Sequence, residues 1–233
     1  MKAKEIFLLV SQKLQDLGAG TTKRWQWEID NTGAKASLVD FCNNALRQIA
    51  LNRPDATAIT ETILLQPGVR QLIPSPALHR SSKKALSLIE LVRNMGSDGD
   101  TPGEPIFIAS RDAMSAYDWS VAGTEIDNYA YDFKINPQVY LVYPGASATD
   151  DVYVEVTYSA EPTVIDSPED EIPVPQTFAG PIMHWILYEI FSGDSSSSNT
   201  AKAQHHMTAF YQALGVKLKA DLFFPVQINQ QQA

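Results

Sequence analysis

The sequence contains one cysteine in 233 residues, and no apolar run in it is long enough to cross a bilayer. Cys42 cannot form an intrachain disulfide, and no cysteine-based metal site is expected. The apolar run near the N-terminus, residues 6–10, is too short for a signal peptide, so we expect an unprocessed start and no membrane contact. Without these supports the fold must depend on the packing of an apolar core.

Basic residues are scarce where acidic residues concentrate. Residues 1–97 hold 13 Lys/Arg and 8 Asp/Glu, residues 98–171 hold 2 and 16, and residues 172–233 hold 3 and 3. A segment as acidic as 98–171 repels the phosphate backbone of DNA. The charge distribution therefore excludes a DNA-gripping surface in the middle of the chain.

Motifs for catalysis or nucleic-acid binding are also missing: there is no G-x-S-x-G, no phosphate-cradling glycine loop, no zinc finger and no helix-turn-helix spacing. His205 and His206 are neighbours, and neighbours on a helix point about 100° apart, so they cannot face one metal together. We expect the side chain of His206 to pack against the core and that of His205 to face solvent. We expect Cys42 to be a small core residue. Asp98 and Asp150 are expected in turns. No catalytic residue, cofactor or bound metal is predicted.

Apolar spacing predicts helices over residues 3–17, 37–52 and 178–191, and a last helix through 203–214. In the second helix Ser37 and Asp40 are N-terminal signals, and Pro54 ends it. Between the second and third helices the apolar period changes to two, which predicts strands with a short helical turn within 111–119. The predicted strands are residues 60–65, 69–73, 86–93, 105–109, 125–133, 139–143 and 152–158.

This order predicts an α+β fold in which both chain ends form a helical bundle and an antiparallel β domain, sandwich- or barrel-like, is inserted between them. Helices of about 12–16 residues are marginal alone, so the two ends must bury their apolar faces against each other. The expected parts are residues 1–57 and 172–217 as the two halves of the bundle, 58–171 as the β domain, and 218–233 as an extended C-terminal tail.

One stretch, TILLQPGVRQLIPSPALH, marks the change from helical to strand period. Pro67 and Gly68 suit a type II turn, which predicts a hairpin between residues 62–65 and 69–73. Arg70 and Gln71 stand side by side like ligand-binding residues, yet no other polar cluster in the sequence converges on them. We interpret the stretch as a corner of the fold rather than a binding site.

Five segments occur in an order and spacing that resemble the head-to-tail adaptor proteins of tailed phages, a group similar in design to the tail tubular protein A of short-tailed phages. The segments are LVDFCNNALRQIALNRPDAT, ILLQPGVRQLIP, LIELVRNMGSDGDTPGEPI, YAYDFKINPQVYLVYP and PVPQTFAGPIMHWILYEIFSGDSSSSNTAKAQHHMTAFYQALG. The resemblance covers about residues 37–216.

The resemblance implies a non-enzymatic virion protein of the neck, assembled in the host cytoplasm. It would form a ring, typically of twelve copies, docked under the portal protein and above a tail or nozzle protein. DNA would pass through this ring without specific binding. The family has no catalytic residues to carry over.

The C-terminal segment is rich in apolar side chains without a clear period, and we interpret it as a strip that becomes ordered on a partner. The resemblance to the adaptor family implies that this partner is the portal protein. The predicted portal or subunit interface consists of Lys217, Lys219, Leu222, Phe223, Phe224, Val226 and Ile228.

Two other functions stay open on the sequence. The chain could be another neck or tail-completion protein of a phage, which would also function through surfaces that bind other virion proteins. It could also be a carbohydrate-binding or glycan-active module, because paired carboxylates are plentiful in residues 98–171 and glycosidase sites are not local in sequence.

Overall fold

The computed structural model describes residues 1–16, 24–28, 36–79, 82–193 and 197–215, without the side chains of 197 and 198. In these residues the helices are α1 Ala3–Lys13, α2 Leu38–Asn52, α3 Arg111–Met114, α4 Ala179–Ser192 and α5 Ser197–Ala213. The strands are β1 Ala58–Leu64, β2 Gly68–Leu72, β3 Ala85–Asn94, β4 Phe107–Ile108, β5 Ala122–Gly123, β6 Asn128–Tyr131, β7 Val139–Ala146 and β8 Tyr153–Ala160.

The described chain separates into two compact parts. The helical unit comes from Met1–Gln48 and Val164–Ala233, and the β unit comes from Ile49–Thr163. The predicted α+β fold class is confirmed, since helices from both ends of the chain share one unit and the strands lie in the other.

The start of α2 follows from its first residues. Ser37 Oγ accepts a hydrogen bond from the Asp40 backbone N–H, and the Asp40 carboxylate accepts one from the Ser37 backbone N–H. This reciprocal pair satisfies two donors that the helix leaves without a partner. At the other end, Pro54 begins a short 3-10 turn, Pro54–Thr57, so the predicted N-terminal signals and the predicted stop are both confirmed.

The helical unit is held by α4, which packs against α1 and α5. Its buried residues Ile182, Ile186 and Ile190 form one stripe at helical spacing. The Trp185 ring packs on the buried Phe210 ring of α5, with centroids 4.8 Å apart. Helix α1 ends at Lys13, earlier than the sequence pattern predicts, and its predicted last apolar residue, Leu17, lies outside the described residues.

Two neighbouring asparagines on α2 join the chain ends within the helical unit. Asn43 is buried and bonds both the backbone N–H and the carbonyl of Ile165. Asn44 donates to the carboxylate of Glu189 on α4, which also accepts a hydrogen bond from Trp185. These two contacts link residues separated in sequence by the whole β unit.

The β unit is built from two sheets. One has the order β1-β8-β3 and is antiparallel; the other has the order β2-β7-β6-β4, with β5 paired to β7. Both sheets contribute to one core, in which Val154, Val156 and Tyr158 of β8 alternate with more exposed residues. The β4–β6 and β5–β7 pairs are short and parallel. Residues 109–127 connect β4 to β6, and residues 124–138, which include β6, connect β5 to β7, so each parallel pair has the long connection that it requires.

The predicted hairpin over residues 62–73 is wrong. Strand β1 pairs with β8 and strand β2 pairs with β7, so the chain leaves one sheet and enters the other at Pro67. Gly68 has the expected positive φ, +102°, but the corner is fixed by Gln71. The buried Gln71 side chain accepts from the Gln66 N–H and donates to the Gln66 and Gly68 carbonyls, and these bonds replace hairpin pairing.

Candidate interaction surfaces

The C-terminal strip predicted from sequence, Lys217 to Ile228, lies outside the described residues. The interface it would form therefore stays a prediction. Within the described residues, the candidates for a functional site are carboxylates at turns, one buried cysteine, a pair of histidines and the pockets of the β unit.

The acidic residues of the β unit lie mainly at turns. Asp98 accepts hydrogen bonds from the backbone of Asp100 and Thr101, and Asp150 accepts from the hydroxyls of Ser147 and Thr149. These hydrogen bonds favour the charged form and lower the pKa of both carboxyl groups. The turn assignment is confirmed for both residues, and neither resembles the raised-pKa general acid that glycoside hydrolysis requires.

Cys42 is buried on the core face of α2, and burial raises the pKa of its thiol to about 12. A thiol with such a pKa is not ionised at neutral pH and is a poor nucleophile. The prediction that Cys42 is a small core residue is confirmed.

The histidines are arranged differently from the sequence interpretation. His205 is exposed and His206 half-buried, as predicted, and His206 also has a partner that the sequence did not indicate: Nδ1 of His184 lies 3.0 Å from Nδ1 of His206. Burial, then the neighbouring His184 and His205, lower the pKa of His206 to about 4, so the pair is uncharged at neutral pH. Among the described residues no group of three or more His, Cys, Asp or Glu is placed to hold a metal ion.

One pocket of the β unit, of about 280 Å³, is lined by two arginines. Arg70 comes from β2 and Arg111 from α3, and the floor is formed by Ala130 and Leu141 of neighbouring strands. Arg70 and Ala130 are both register partners of Leu141, so the three lie across adjacent strands on one face of the sheet. We name this site the arginine pocket.

The arginine pocket lies on the sheet face opposite the core, since the next residues along the strands, Tyr129 and Tyr140, are buried in that core. Part of the outer face is already covered by the segment that contains α3. Met114 of this helix is fully buried, and the Tyr117 ring lies 4.4 Å from the Tyr143 ring of β7. The pocket is the neighbouring part of the same face, and it is lined by residues of β2, β6, β7 and α3.

A second pocket, of about 480 Å³, is mainly apolar and lies where the end of α2 meets β3. Leu51 is 59% exposed there and Phe133 is 53% exposed. Other large apolar side chains are also exposed in the β unit, among them Phe107 and Ile108 on strand β4. Leu51 and Phe133 line this one pocket, and a contiguous exposed apolar patch is typical of an interaction surface, whereas single exposed apolar side chains are ordinary.

Sequence reasoning missed both pairings of these distant residues. Arg70 was noted, but Arg111 lies 41 positions later on α3, and the sheet register together with the position of α3 brings them to one pocket. His184 and His206 could have been paired from sequence, because they lie at equal distances from residue 195 in the connection between α4 and α5. Antiparallel helices bring such equidistant residues together.

The described residues present two pockets and exposed apolar side chains in the β unit, and no group of three or more His, Cys, Asp or Glu among them is placed to hold a metal ion. A family model described as SU10 adaptor protein matches residues 1–228, and the chain belongs to this family of phage adaptor proteins. The resemblance to phage head-to-tail adaptors is thereby confirmed at the level of the family.

No curated protein matches the chain. The family match implies a structural component of the virion neck, associated with portal and tail proteins. No helix of the described residues is long and apolar enough to span a membrane.

Proposed function

We propose that this protein is the head-to-tail adaptor of a tailed phage and forms a ring of twelve copies between the portal protein and the tail. The observation that carries the proposal is the match to the SU10 adaptor family over residues 1–228, which includes the helical unit, the β unit and most of the C-terminal segment. The likeness to tail tubular protein A of short-tailed phages is part of the same proposal.

A closed ring suits this role for a physical reason. Each copy presents one surface to the copy before it and a different surface to the copy after it, and such contacts close when the rotation between copies divides a full turn. A ring of this kind requires each copy to have surfaces that bind its two neighbours. The two pockets and the exposed apolar residues of the β unit supply such faces.

We propose that DNA passes through the ring without specific binding. Residues 98–171 hold 16 Asp/Glu and 2 Lys/Arg, and hydrogen bonds lower the pKa of Asp98, Asp118 and Asp150, which keeps these carboxylates charged at neutral pH. Like charges repel the phosphate backbone over about 8 Å at physiological salt concentration. A lumen lined by such a surface would keep DNA mobile.

The C-terminal strip is proposed to dock on the portal protein, with the tail or nozzle protein bound elsewhere on the ring. Its support is its composition. Phe223 and Phe224 are large apolar anchors, followed by a run of glutamines that cannot form an apolar core. Aromatic anchors of this kind contribute most of the binding energy in many protein interfaces.

The test is a binding assay between the full chain and the portal protein of the same phage. We expect the full chain to co-sediment with portal as a ring, and a chain truncated after Val216 to remain folded but to lose docking. Phe223→Ala/Phe224→Ala should weaken docking, whereas Gln230→Ala/Gln231→Ala serves as the matched control. Absence of any ring with portal under all conditions would contradict the proposed function, while unchanged docking on truncation would remove only the role of the strip.

A further inference from the structure

The arginine pocket contains charge that the described part of the β unit does not neutralise. In that unit Arg53, Lys84 and Arg93 each form an ion pair, with Asp55, Glu161 and Glu155. Arg70 and Arg111 form no ion pair with any described residue. Two guanidinium groups that face one small pocket repel each other, so an incoming carboxylate would be attracted by both.

One carboxylate also lines the pocket. Asp132 Oδ1 accepts a hydrogen bond from the backbone N–H of Lys134 in the adjacent turn, which leaves its negative charge in place, so the lining holds two arginines and one carboxylate. Asp132 forms no ion pair with either arginine among the described contacts. The pocket thus retains an excess of positive charge within an acidic region.

The shape and lining of the pocket suit a protein side chain. Leu141 and Ala130 form its floor, and Ile135, which is 62% exposed, lies at its rim. A volume of about 280 Å³ accommodates one acidic side chain and part of its backbone. An apolar floor with arginines above it is typical of protein interfaces, where arginine is enriched and binds carboxylates in bidentate geometry.

The positive charge of the arginine pocket indicates an acidic occupant. The chain also carries exposed acidic turns at residues 98–100 and 150–151, away from the pocket in the sequence. In a ring of identical subunits, a surface of one copy meets a different surface of the next copy. We propose that Arg70 and Arg111 bind an acidic turn of the adjacent copy, and this inference rests on the proposed ring.

The experiment compares ring assembly of full-length variants, alone and on the portal protein, by sedimentation velocity and electron microscopy. The test variant is Arg70→Glu/Arg111→Glu, and Arg70→Gln/Arg111→Gln removes the charge without reversing it. The matched control is Lys83→Glu/Lys84→Glu, which makes the same change in charge at two exposed lysines of the β unit that do not line the pocket, although Lys84 forms a surface ion pair with Glu161. Circular dichroism and the unfolding midpoint establish that each variant is folded.

We expect charge reversal to raise the protein concentration for half-maximal ring assembly at least about tenfold, the neutral variant to raise it less, and the control to leave it nearly unchanged. Wild-type assembly should weaken as salt concentration rises, and the neutral variant should lose most of this dependence.

Three results would overturn the inference, and they are distinguishable. If wild type and the charge-reversal variant form rings equally well, the pocket has no role between copies, while the proposed function stands. If the ring of that variant is intact but no longer binds portal, tail protein or double-stranded DNA, the occupant is that molecule instead. If wild type forms no ring under any condition, the proposed function fails and this inference fails with it.

Discussion

The helical unit and the β unit each contain a buried asparagine that hydrogen-bonds both polar groups of one isoleucine backbone. Asn43 does so with Ile165, at 2.8 and 3.0 Å, and Asn94 does so with Ile126, at 2.9 and 2.8 Å. Their surroundings differ. Asn43 joins two chain ends in a helical unit, whereas Asn94 joins loop and strand in the β unit and also donates to the Glu104 carbonyl.

The two units differ more at their surfaces. In the helical unit Lys2 and Lys4 pair with Glu169, and His184 pairs with His206. In the β unit Arg70 and Arg111 have no acidic partner among the described residues and line one pocket. Large apolar side chains are exposed in both units, among them Leu8 and Leu9 in the helical unit and Phe107 and Ile108 in the β unit. Similar internal contacts therefore stabilise the two units, and they differ in which charged side chains their surfaces bring together.

The largest expected effect is the loss of a buried asparagine. Asn94→Ala should lower the free energy of unfolding of the β unit by about 3 kcal/mol, because it leaves the N–H and carbonyl of Ile126 unpaired inside the protein. Asn43→Ala should cost the helical unit about 2 kcal/mol, since it removes two hydrogen bonds rather than three.

Chemical denaturation gives the size of each loss, and hydrogen exchange shows in which unit it occurs. Asn94→Ala should accelerate exchange in the strands, and Asn43→Ala in the helices. A loss below about 1 kcal/mol for Asn94→Ala would contradict its role as a structural link.

The second effect is a pH dependence of the helical unit that comes from His206. The pKa of His206 is lowered to about 4 from 6.5, chiefly by burial and then by the positive neighbours His184, His205 and Lys13. The neutral form is therefore favoured by folding. This stability is present above pH 6.5 and is lost as the pH falls towards 4.

The shift of the His206 pKa from 6.5 to about 4 corresponds to about 3 kcal/mol of folding stability. Solvent screening of the half-buried ring reduces the expected loss on acidification to about 1–2 kcal/mol. Urea unfolding at pH 7 and near pH 4.5 should show a smaller loss for His206→Gln than for wild type, and His205→Gln, at the exposed neighbour, is the control. Equal pH dependence of His206→Gln and wild type would contradict this account.

The third prediction concerns two buried tyrosines of the β core. Tyr140 is fully buried, and its hydroxyl has no hydrogen-bond partner in the described structure. Tyr140→Phe should therefore be neutral or stabilise the unit by up to about 1 kcal/mol, because it removes an unsatisfied polar group. Tyr158→Phe is the matched change, and it should cost about 1 kcal/mol because the Tyr158 hydroxyl donates to Glu61.

Thermal unfolding of the two variants at neutral pH separates these outcomes. A larger loss for Tyr140→Phe than for Tyr158→Phe would show that the Tyr140 hydroxyl has a structural role.

The smallest effects come from two glycines, one in each unit. Gly68 at the corner of the β unit has φ +102° and Gly180 lies in the first turn of α4, and a side chain at either position would meet no atom within 4 Å. Gly68→Ala should cost about 1 kcal/mol through backbone strain. Gly180→Ala should stabilise the protein by about 0.5–1 kcal/mol, because alanine favours the helix. Chemical denaturation measures the change in the free energy of unfolding for each variant. We expect a decrease for Gly68→Ala and an increase for Gly180→Ala, and changes of the same sign would contradict this prediction.

Local patterns in the sequence were enough for the elements and the fold class. The period of Leu38, Cys42 and Leu46 predicted α2, and Ser37 with Asp40 predicted its start, because these signals act within a few residues. The α+β arrangement followed because helices at the two ends of the chain needed each other's apolar faces.

Long-range pairing could not be predicted in the same way. An alternating apolar pattern identifies a strand but does not identify the strand it pairs with. The predicted hairpin between residues 62–65 and 69–73 was therefore wrong, and β1 and β2 belong to different sheets. The arginine pocket depends on the same register and on the position of α3, which a single sequence does not encode locally. The C-terminal strip from Lys217 to Ile228 stays a prediction from composition.

The most direct test of the adaptor function is electron microscopy of the full chain bound to the portal protein of the same phage. The account predicts a twelve-copy ring of this chain, coaxial with the portal and open along its axis for DNA. Portal particles without such a ring at any protein or salt concentration would contradict the account.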